Sequence, residues 1–382
     1  INSVGFSMNE IFDNMGGGRN SSVYYSDDGS FGINGMTFGG SNGITTSNLV
    51  GLNYVDKWFK KVDMSSNYFF TNAETDNVNR TSSTNLLPTG TTYTEADANS
   101  NRIGNSHNVS FDFEMKLDST ATIYMSPKIA KSFNKDKYKS KQETTSASDE
   151  LLNESLSDTY TETDNIAFEN NLYFYKSFKK KNRGMTISVD NEHKKTDLFS
   201  KNNSATLFYQ SADPNDIRNQ NQFAENKFNK MGTEIRFGEP LTDSLKLSAT
   251  TEILYYSSNE SKQTYDFNDV SGEYDAFNAF QSNTINSSVL KINPTIGLNL
   301  QKKNIRARFN VGPEFVTFKN ESDYLGITTP LNENYVFPKI TGNLSYTISK
   351  SKSIYSNYDY KVELPLANQI LPVLDLSNPL NT

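Results

Sequence analysis

A strict period of two runs through Asn108 to Ile129, NVSFDFEMKLDSTATIYMSPKI, and it constrains this chain more than any other feature. The first arm places Val109, Phe111, Phe113, Met115 and Leu117 on one phase and Asn108, Ser110, Asp112, Glu114, Lys116 and Asp118 on the other. Successive side chains of a strand point to opposite faces, so this pattern specifies a strand with one apolar and one polar face. After Asp118-Ser119-Thr120 the alternation resumes, with Ala121, Ile123, Met125, Pro127 and Ile129 against Thr122, Tyr124, Ser126 and Lys128. The two arms read as a long antiparallel hairpin.

The same unit recurs along the chain. Asn48–Trp58 is expected to pair with Val62–Asn72 through Phe59-Lys60-Lys61, and Asn165–Phe178 with Met185–Glu192 through residues 179–184. Met231–Phe237 is expected opposite Leu245–Tyr256, Leu290–Leu300 opposite Ile305–Phe318, and Pro338–Ile348 opposite Ile354–Leu364. This makes about twelve strands. Long polar segments lie between the hairpins: 74–104, 130–159, 195–222, 257–284 and 319–334. Read as loops, they put every short turn at one end and every long loop at the other, as in outer-membrane barrels.

Composition narrows the class. Apolar residues make up only 35% of the 382, yet 21 Tyr and 25 Phe are too many aromatics for a disordered chain. No apolar run reaches the ~18 residues of a transmembrane helix, and INSVGFSMNE lacks the basic and apolar regions of a signal peptide. With no Cys there are no disulfides or thiolate metal sites, and two His leave little for metal or triad chemistry. A net charge of -7 argues against nucleic acid as a partner.

Whether the apolar phase faces a core or lipid decides the reading. Strands longer than the usual soluble length, the asymmetry of the connections and the partition of charge all favour lipid. In Leu290–Gln301 the apolar phase is Leu290, Ile292, Pro294, Ile296, Leu298 and Leu300. The only charges on the lipid phase are Asp56 and Lys176, both beside short turns, where Trp58 and Phe178 also fit an interfacial aromatic girdle. Pro127, Pro294, Pro313 and Pro338 each remove a ladder donor, so bulges or unpaired strand ends are expected there. The expected fold is therefore all-β: an antiparallel transmembrane β-barrel, with a soluble sandwich or barrel as the alternative.

GFSMNEIFDNMGGGRN, GITTSNLVGLNYVDKW, FKKVDMSSNYFF and the closing LPVLDLSNPLN resemble Bacteroidetes outer-membrane β-barrel proteins of the TonB-dependent receptor type. The resemblance implies a barrel of ~22 strands, of which this chain is roughly the middle half, with strands before Ile1 and after Thr382. It also implies a bacterial outer-membrane location and a plug domain of the same protein. Residues 1–45 would be an external loop with a short helix opened by Ser7-Met8-Asn9-Glu10, residues 46–366 the barrel hairpins, and residues 367–382 a loop to further strands.

The expected lumen-facing charges are Asp112, Glu114, Glu234, Arg236, Glu252, Lys291, Arg306, Arg308, Glu314, Asp359, Lys361 and Glu363, as contacts to a plug or a ligand. A wet lumen also needs such residues simply for solvation. Nothing local tunes Asp112 and Glu114 as an acid and base pair, and an enzyme is the weakest of the readings. Asp27-Asp28-Gly29 and Asp213-Pro214-Asn215-Asp216 read as turns, without the spacing of a calcium loop. No cofactor or metal is expected. The leading function is capture of a ligand by external loops and its passage through a plugged polar lumen, with the TonB complex as energy source. The alternative is a non-transporting barrel that scaffolds envelope assembly, secretion or adhesion, with assembly proteins as partners.

Overall fold

Alternation organises the backbone over most of the chain. The computed structural model describes residues 23–25, 31–33, 36–38, 43–88, 90–210, 214–349 and 351–362. The expected helix at Ser7, the Asp27-Asp28-Gly29 turn, Asp213, Glu363 and the 367–382 loop lie outside them.

Three short strands, β1 (Val23–Tyr25), β2 (Phe31–Ile33) and β3 (Met36–Phe38), form a small antiparallel sheet of their own. All other strands belong to one antiparallel sheet of thirteen. They are β4 (Ile44–Trp58), β5 (Val62–Leu87), β6 (Gly90–Asp118), β7 (Ala121–Ser146), β8 (Leu151–Ser177), β9 (Gly184–Phe208) and β10 (Asp216–Pro240). There follow β11 (Leu245–Asn268), β12 (Glu273–Phe277), β13 (Asn283–Gln301), β14 (Ile305–Tyr324), β15 (Ile327–Ser349) and β16 (Lys352–Tyr360).

The sheet is a meander in which each strand pairs with its chain neighbour, except that β12 is a short flap on β11 and β13 takes its place in the order. The sheet is of all-β barrel type but is not closed, with β4 and β16 as its two edges. The hairpin registers follow the alternation. Trp58 opposes Val62, Val109 opposes Ile129, Ser177 opposes Gly184 and Tyr346 opposes Ile354.

The segments expected as long loops are mostly paired strand. Leu87 opposes Gly90 across a tight turn, β7 and β8 are joined by residues 147–150, and β14 turns into β15 at Leu325-Gly326. The last is a two-residue turn with positive φ at both positions, the geometry that matches strand twist in a hairpin. Polar residues dominate both faces of these extensions, with aromatic contacts such as Phe199–Phe223 scattered among them, so periodicity of hydrophobicity did not reveal them. Cross-strand side-chain pairs support them instead. Thr94 meets Thr144 at 3.1 Å, Arg102 meets Asp136 at 2.7 Å, Lys135 meets Glu162 at 3.2 Å and Lys139 meets Asp158 at 2.8 Å.

The prolines interrupt the ladder without inserting a residue. Bridges are missing opposite Pro127 and between Asn293–Thr295 and Gly312–Glu314, yet the pairs on either side keep one register. The expected bulges are therefore absent at Pro127 and Pro294: a proline costs only its own donor when the flanking pairs hold the strands together. Pro313 and Pro338 oppose each other in register.

At the short-turn end two carboxylates are clamped. Asp118 accepts from the Thr120 hydroxyl and N–H, both at 2.6 Å, and from Lys176 Nζ at 3.2 Å, which together bring its pKa from an ordinary 3.8 to about 2. Glu239 accepts from Arg183 Nε and Lys180 Nζ, at 2.6 Å each. A carboxylate depressed on folding contributes stability that is complete above its unfolded pKa and is lost as pH falls through the folded one. Urea midpoints of the protein in detergent should therefore fall between about pH 4 and 2, and Asp118→Asn should flatten that slope. An unchanged slope in the variant would assign the acid sensitivity to other groups.

Candidate functional site

The register sorts the alternating residues onto two continuous faces. On one face Leu245, Leu247, Ala249, Thr251, Ile253 and Tyr255 of β11 stand beside Leu300, Leu298, Ile296, Pro294, Ile292 and Leu290 of β13. Beyond β13 the same face carries Ala307, Phe309, Val311, Pro313 and Phe315 of β14, then Leu344, Ile340, Pro338 and Val336 of β15. On β8 and β9 it carries Phe174, Leu172, Ile187 and Val189. Its side chains are exposed: Ile296 is 62% accessible and Met231 56%.

Trp58, 39% exposed, ends β4 on this apolar face, 6.4 Å from Phe113, and Phe178 packs edge-on against Phe237 at 6.0 Å just past β8. Both lie at the short-turn end, as expected for them. Asp56 and Lys176 also sit at that end of the apolar face, where Tyr54 Oη donates to Asp56 at 2.8 Å and Lys176 Nζ donates to Thr120 Oγ1 at 2.7 Å. At the other margin His107 accepts or donates with Tyr68 Oη at 2.9 Å, and His193 Nδ1 lies 2.6 Å from Asn229 Oδ1.

The opposite, polar face lines a cavity of about 1060 Å³ spread over β8 to β16. The structure brings five of the expected charges to its wall: Glu234, Arg236, Glu252, Arg306 and Arg308. Arg236 pairs with Glu234 at 3.1 Å, and Arg308 Nε donates to Asn299 Oδ1 at 2.7 Å. Glu252 accepts from Lys339 Nζ at 2.9 Å and from Asn293 Nδ2 at 3.2 Å.

The remaining expected residues lie elsewhere. Lys291 and Glu314 share the polar face but stand one step outside the cavity, opposite Leu254 and Phe337 respectively. Asp112 and Glu114 belong to the distant β6, where Asp112 accepts from Ser126 Oγ at 2.7 Å and Glu114 pairs with Lys116 at 3.4 Å. Asp359 opposes Thr341 on the edge strand β16, and Lys361 follows that strand.

Sequence reasoning passed over Lys246, Lys339 and Asn293, which also line the cavity. The signal was present, since Lys246 alternates with Leu245 and Leu247, and Lys339 with Pro338 and Ile340. Only the pairing shows that Lys339 reaches Glu252, three strands away in the sheet through β14 and β13 to β11.

Glycines keep the wall hollow. Gly238 and Gly297 stand on either side of Ser248 on the polar face. A Cβ on Gly238 would run into the Lys246 side chain, and one on Gly297 into that of Asn310. Asn310 in turn donates to Thr341 Oγ1 at 2.9 Å. No group of three or more His, Cys, Asp or Glu among the described residues has the geometry of a metal site. The wall thus offers hydrogen bonds and charge to a polar occupant. Compared with the models of known protein families and with curated proteins, the chain matches none of either.

Proposed function

We propose that this chain is part of a bacterial outer-membrane β-barrel of the TonB-dependent receptor type, a receptor or transporter whose apolar face meets lipid and whose polar face lines a plugged lumen. The observation that carries this reading is the continuity of the two faces across the whole meander. On β11 the apolar run from Leu245 to Tyr255 gives way at Ser257 to polar residues on both phases. At ~3.4 Å per residue and ~40° tilt that run rises about 26 Å, the height of a barrel's lipid-facing band. Cavity-lining charges fall on the other face, where water and a plug accept them.

Transport is tested by deletion of the gene followed by growth on defined nutrient or iron sources. Loss of uptake restored by the wild-type gene supports a receptor, and an unchanged profile together with stoichiometric co-purifying envelope proteins supports a scaffold. One observation favours that second reading: the hairpins continue past the apolar band as paired strands, a surface suited to holding a partner protein.

Topology is tested separately. In the proposed orientation the 147–150 turn is outside the cell and the 178–183 turn is periplasmic. Protease added to intact cells should cut near Ser148-Asp149 and spare Lys179–Arg183. Cleavage at 147–150 only after permeabilisation would reverse the orientation.

A further inference from the structure

Where β6, β7 and β8 run on beyond the apolar band, their polar face lines a second cavity, of about 680 Å³. That volume falls within the roughly 300–1,000 Å³ of small-ligand pockets. Its wall is built from three successive levels on three adjacent strands. Ser100, Tyr138 and Thr159 stand side by side on the first, Arg102, Asp136 and Thr161 on the second, and Asn134 and Thr163 on the third, with Gly104 opposite Asn134. At two residues per level and ~4.8 Å between strands, the wall measures about 14 Å by 10 Å, so a single small ligand reaches all of it. Behind it, on the other face of the sheet, Lys135 pairs with Glu162 at 3.2 Å, so charge stands on both sides here, clear of the apolar band.

The wall is neutral, and most of its hydrogen-bonding groups are unspent. Its two charges cancel: Arg102 donates through Nε at 3.0 Å and a terminal nitrogen at 2.7 Å to one Asp136 oxygen, Oδ2, which leaves Oδ1 to accept from an occupant. Elsewhere the polar face of these hairpins spends its hydroxyls across strands, as in Thr94 with Thr144 and Ser155 with Thr206, both at 3.1 Å. Within the cavity Thr161 does the same with Ser200, at 3.2 Å. The hydroxyls of Ser100, Tyr138, Thr159 and Thr163 and the Asn134 carboxamide have no side-chain partner among the described residues. Gly104 gives that carboxamide its place, since a Cβ there would stand 2.8 Å from Asn134 Oδ1. No aliphatic side chain lines the cavity, and Tyr138, 40% exposed, is its one aromatic ring. All three strands are paired on both sides, so their backbone is spent on the ladder and side chains alone can read a ligand.

We infer that this cavity binds a neutral saccharide. Ser, Thr and Tyr hydroxyls both donate and accept, as the hydroxyls of a sugar do, and the Asn134 carboxamide also offers both. The Tyr138 ring supplies an apolar surface for the C–H face of a pyranose while its hydroxyl stays wet. An anionic ligand would find no unpaired cation on this wall, and a peptide would find neither a free strand edge nor an apolar pocket for its side chains. The inference deepens the receptor reading by naming a ligand class. It rests on that reading only for the side of the membrane from which the ligand arrives, because binding by the purified protein needs no transport.

The test is calorimetric titration of the whole protein with maltotriose, cellotriose and mannotriose, and with trialanine as the peptide probe. The micelles should be of an amine-oxide detergent, because a sugar-headed one would compete. At least one trisaccharide should bind saturably, and trialanine should not. Tyr138→Ala should weaken that trisaccharide about tenfold, through loss of the ring and the hydroxyl together. Thr159→Val and Thr163→Val keep the β-branched shape and lose only the hydroxyl, so each should weaken it about two- to tenfold, as expected for one net hydrogen bond. None of these three hydroxyls is bonded within the protein, so the variants should keep the wild-type heat-modified mobility on gels. Ser83→Ala, on the same polar face three levels farther out, should leave affinity unchanged. Absence of saturable binding by every trisaccharide, wild-type affinity in all three cavity variants, or trialanine binding that those variants weaken overturns the saccharide site. A bound trisaccharide with an unchanged growth profile after gene deletion keeps the site and removes transport, and an uptake defect with no trisaccharide bound does the reverse.

Discussion

Ile296→Arg should destabilise the folded protein in a lipid bilayer by about 2–4 kcal/mol, whereas Thr295→Arg should cost far less. Ile296 opposes Ala249 on β11 and Val311 on β14, with two apolar levels, Leu298 and Leu300, between it and the end of β13 on the same face. In the proposed membrane it sits well inside the band, and an Arg there faces hydrocarbon. Thr295, its neighbour, lines the cavity beside Arg236 and Lys339 and looks into a wall that already holds charge. The measurement is urea-dependent folding into vesicles, compared with folding in water. A soluble sheet would also suffer from Arg at a packed position, but it would reach its native state without lipid. Equal tolerance of Arg at the two positions in vesicles would put the faces the wrong way round.

Gly312→Ala should cost about 1–3 kcal/mol, the usual penalty for overpacking against atoms that cannot move aside. Gly312 lies on the polar face where the ladder between β13 and β14 is interrupted, and a Cβ there would collide with the Pro294 carbonyl and the Thr295 Cα. Both are backbone atoms of the adjacent strand. Gly297→Ala makes the control. Its Cβ would meet the side chains of Asn310 and Ser248, which can rotate away, so its cost should stay below about 1 kcal/mol. Unfolding midpoints of the two variants in one detergent decide the matter. A Gly297 penalty equal to or above that of Gly312 would mean that side-chain crowding, and not strand spacing, limits this part of the wall.

The contrast between these glycines shows where reading the chain stops. Both occur on the polar phase of an alternating strand, so pattern alone treats them alike. Hairpins, registers and faces were legible because a one-residue slip would move every apolar side chain to the polar face. Leu245–Tyr256 announces its pairing with Met231–Phe237, and Leu290–Leu300 its pairing with Ile305–Phe318, for that reason. The expected lumen charges Glu234, Arg236, Glu252, Arg306 and Arg308 were found the same way, by phase.

Asp112 and Glu114 satisfy the same rule and yet lie far from the cavity, because phase specifies a face but not a distance along the sheet. The polar extensions of β5 to β9 carry no alternation at all, and their pairing depends on hydroxyl, amide and ion-pair contacts that exist only once the strands are aligned. What the sequence by itself determined was local: which residues alternate, where the chain reverses and which side chains share a face, all set by the two-residue repeat of a strand. Tertiary structure alone decided how long the hairpins are, that Lys339 reaches Glu252, and that Lys246 and Arg306 find no carboxylate among the described residues, because these depend on strand order and register between segments far apart in the chain.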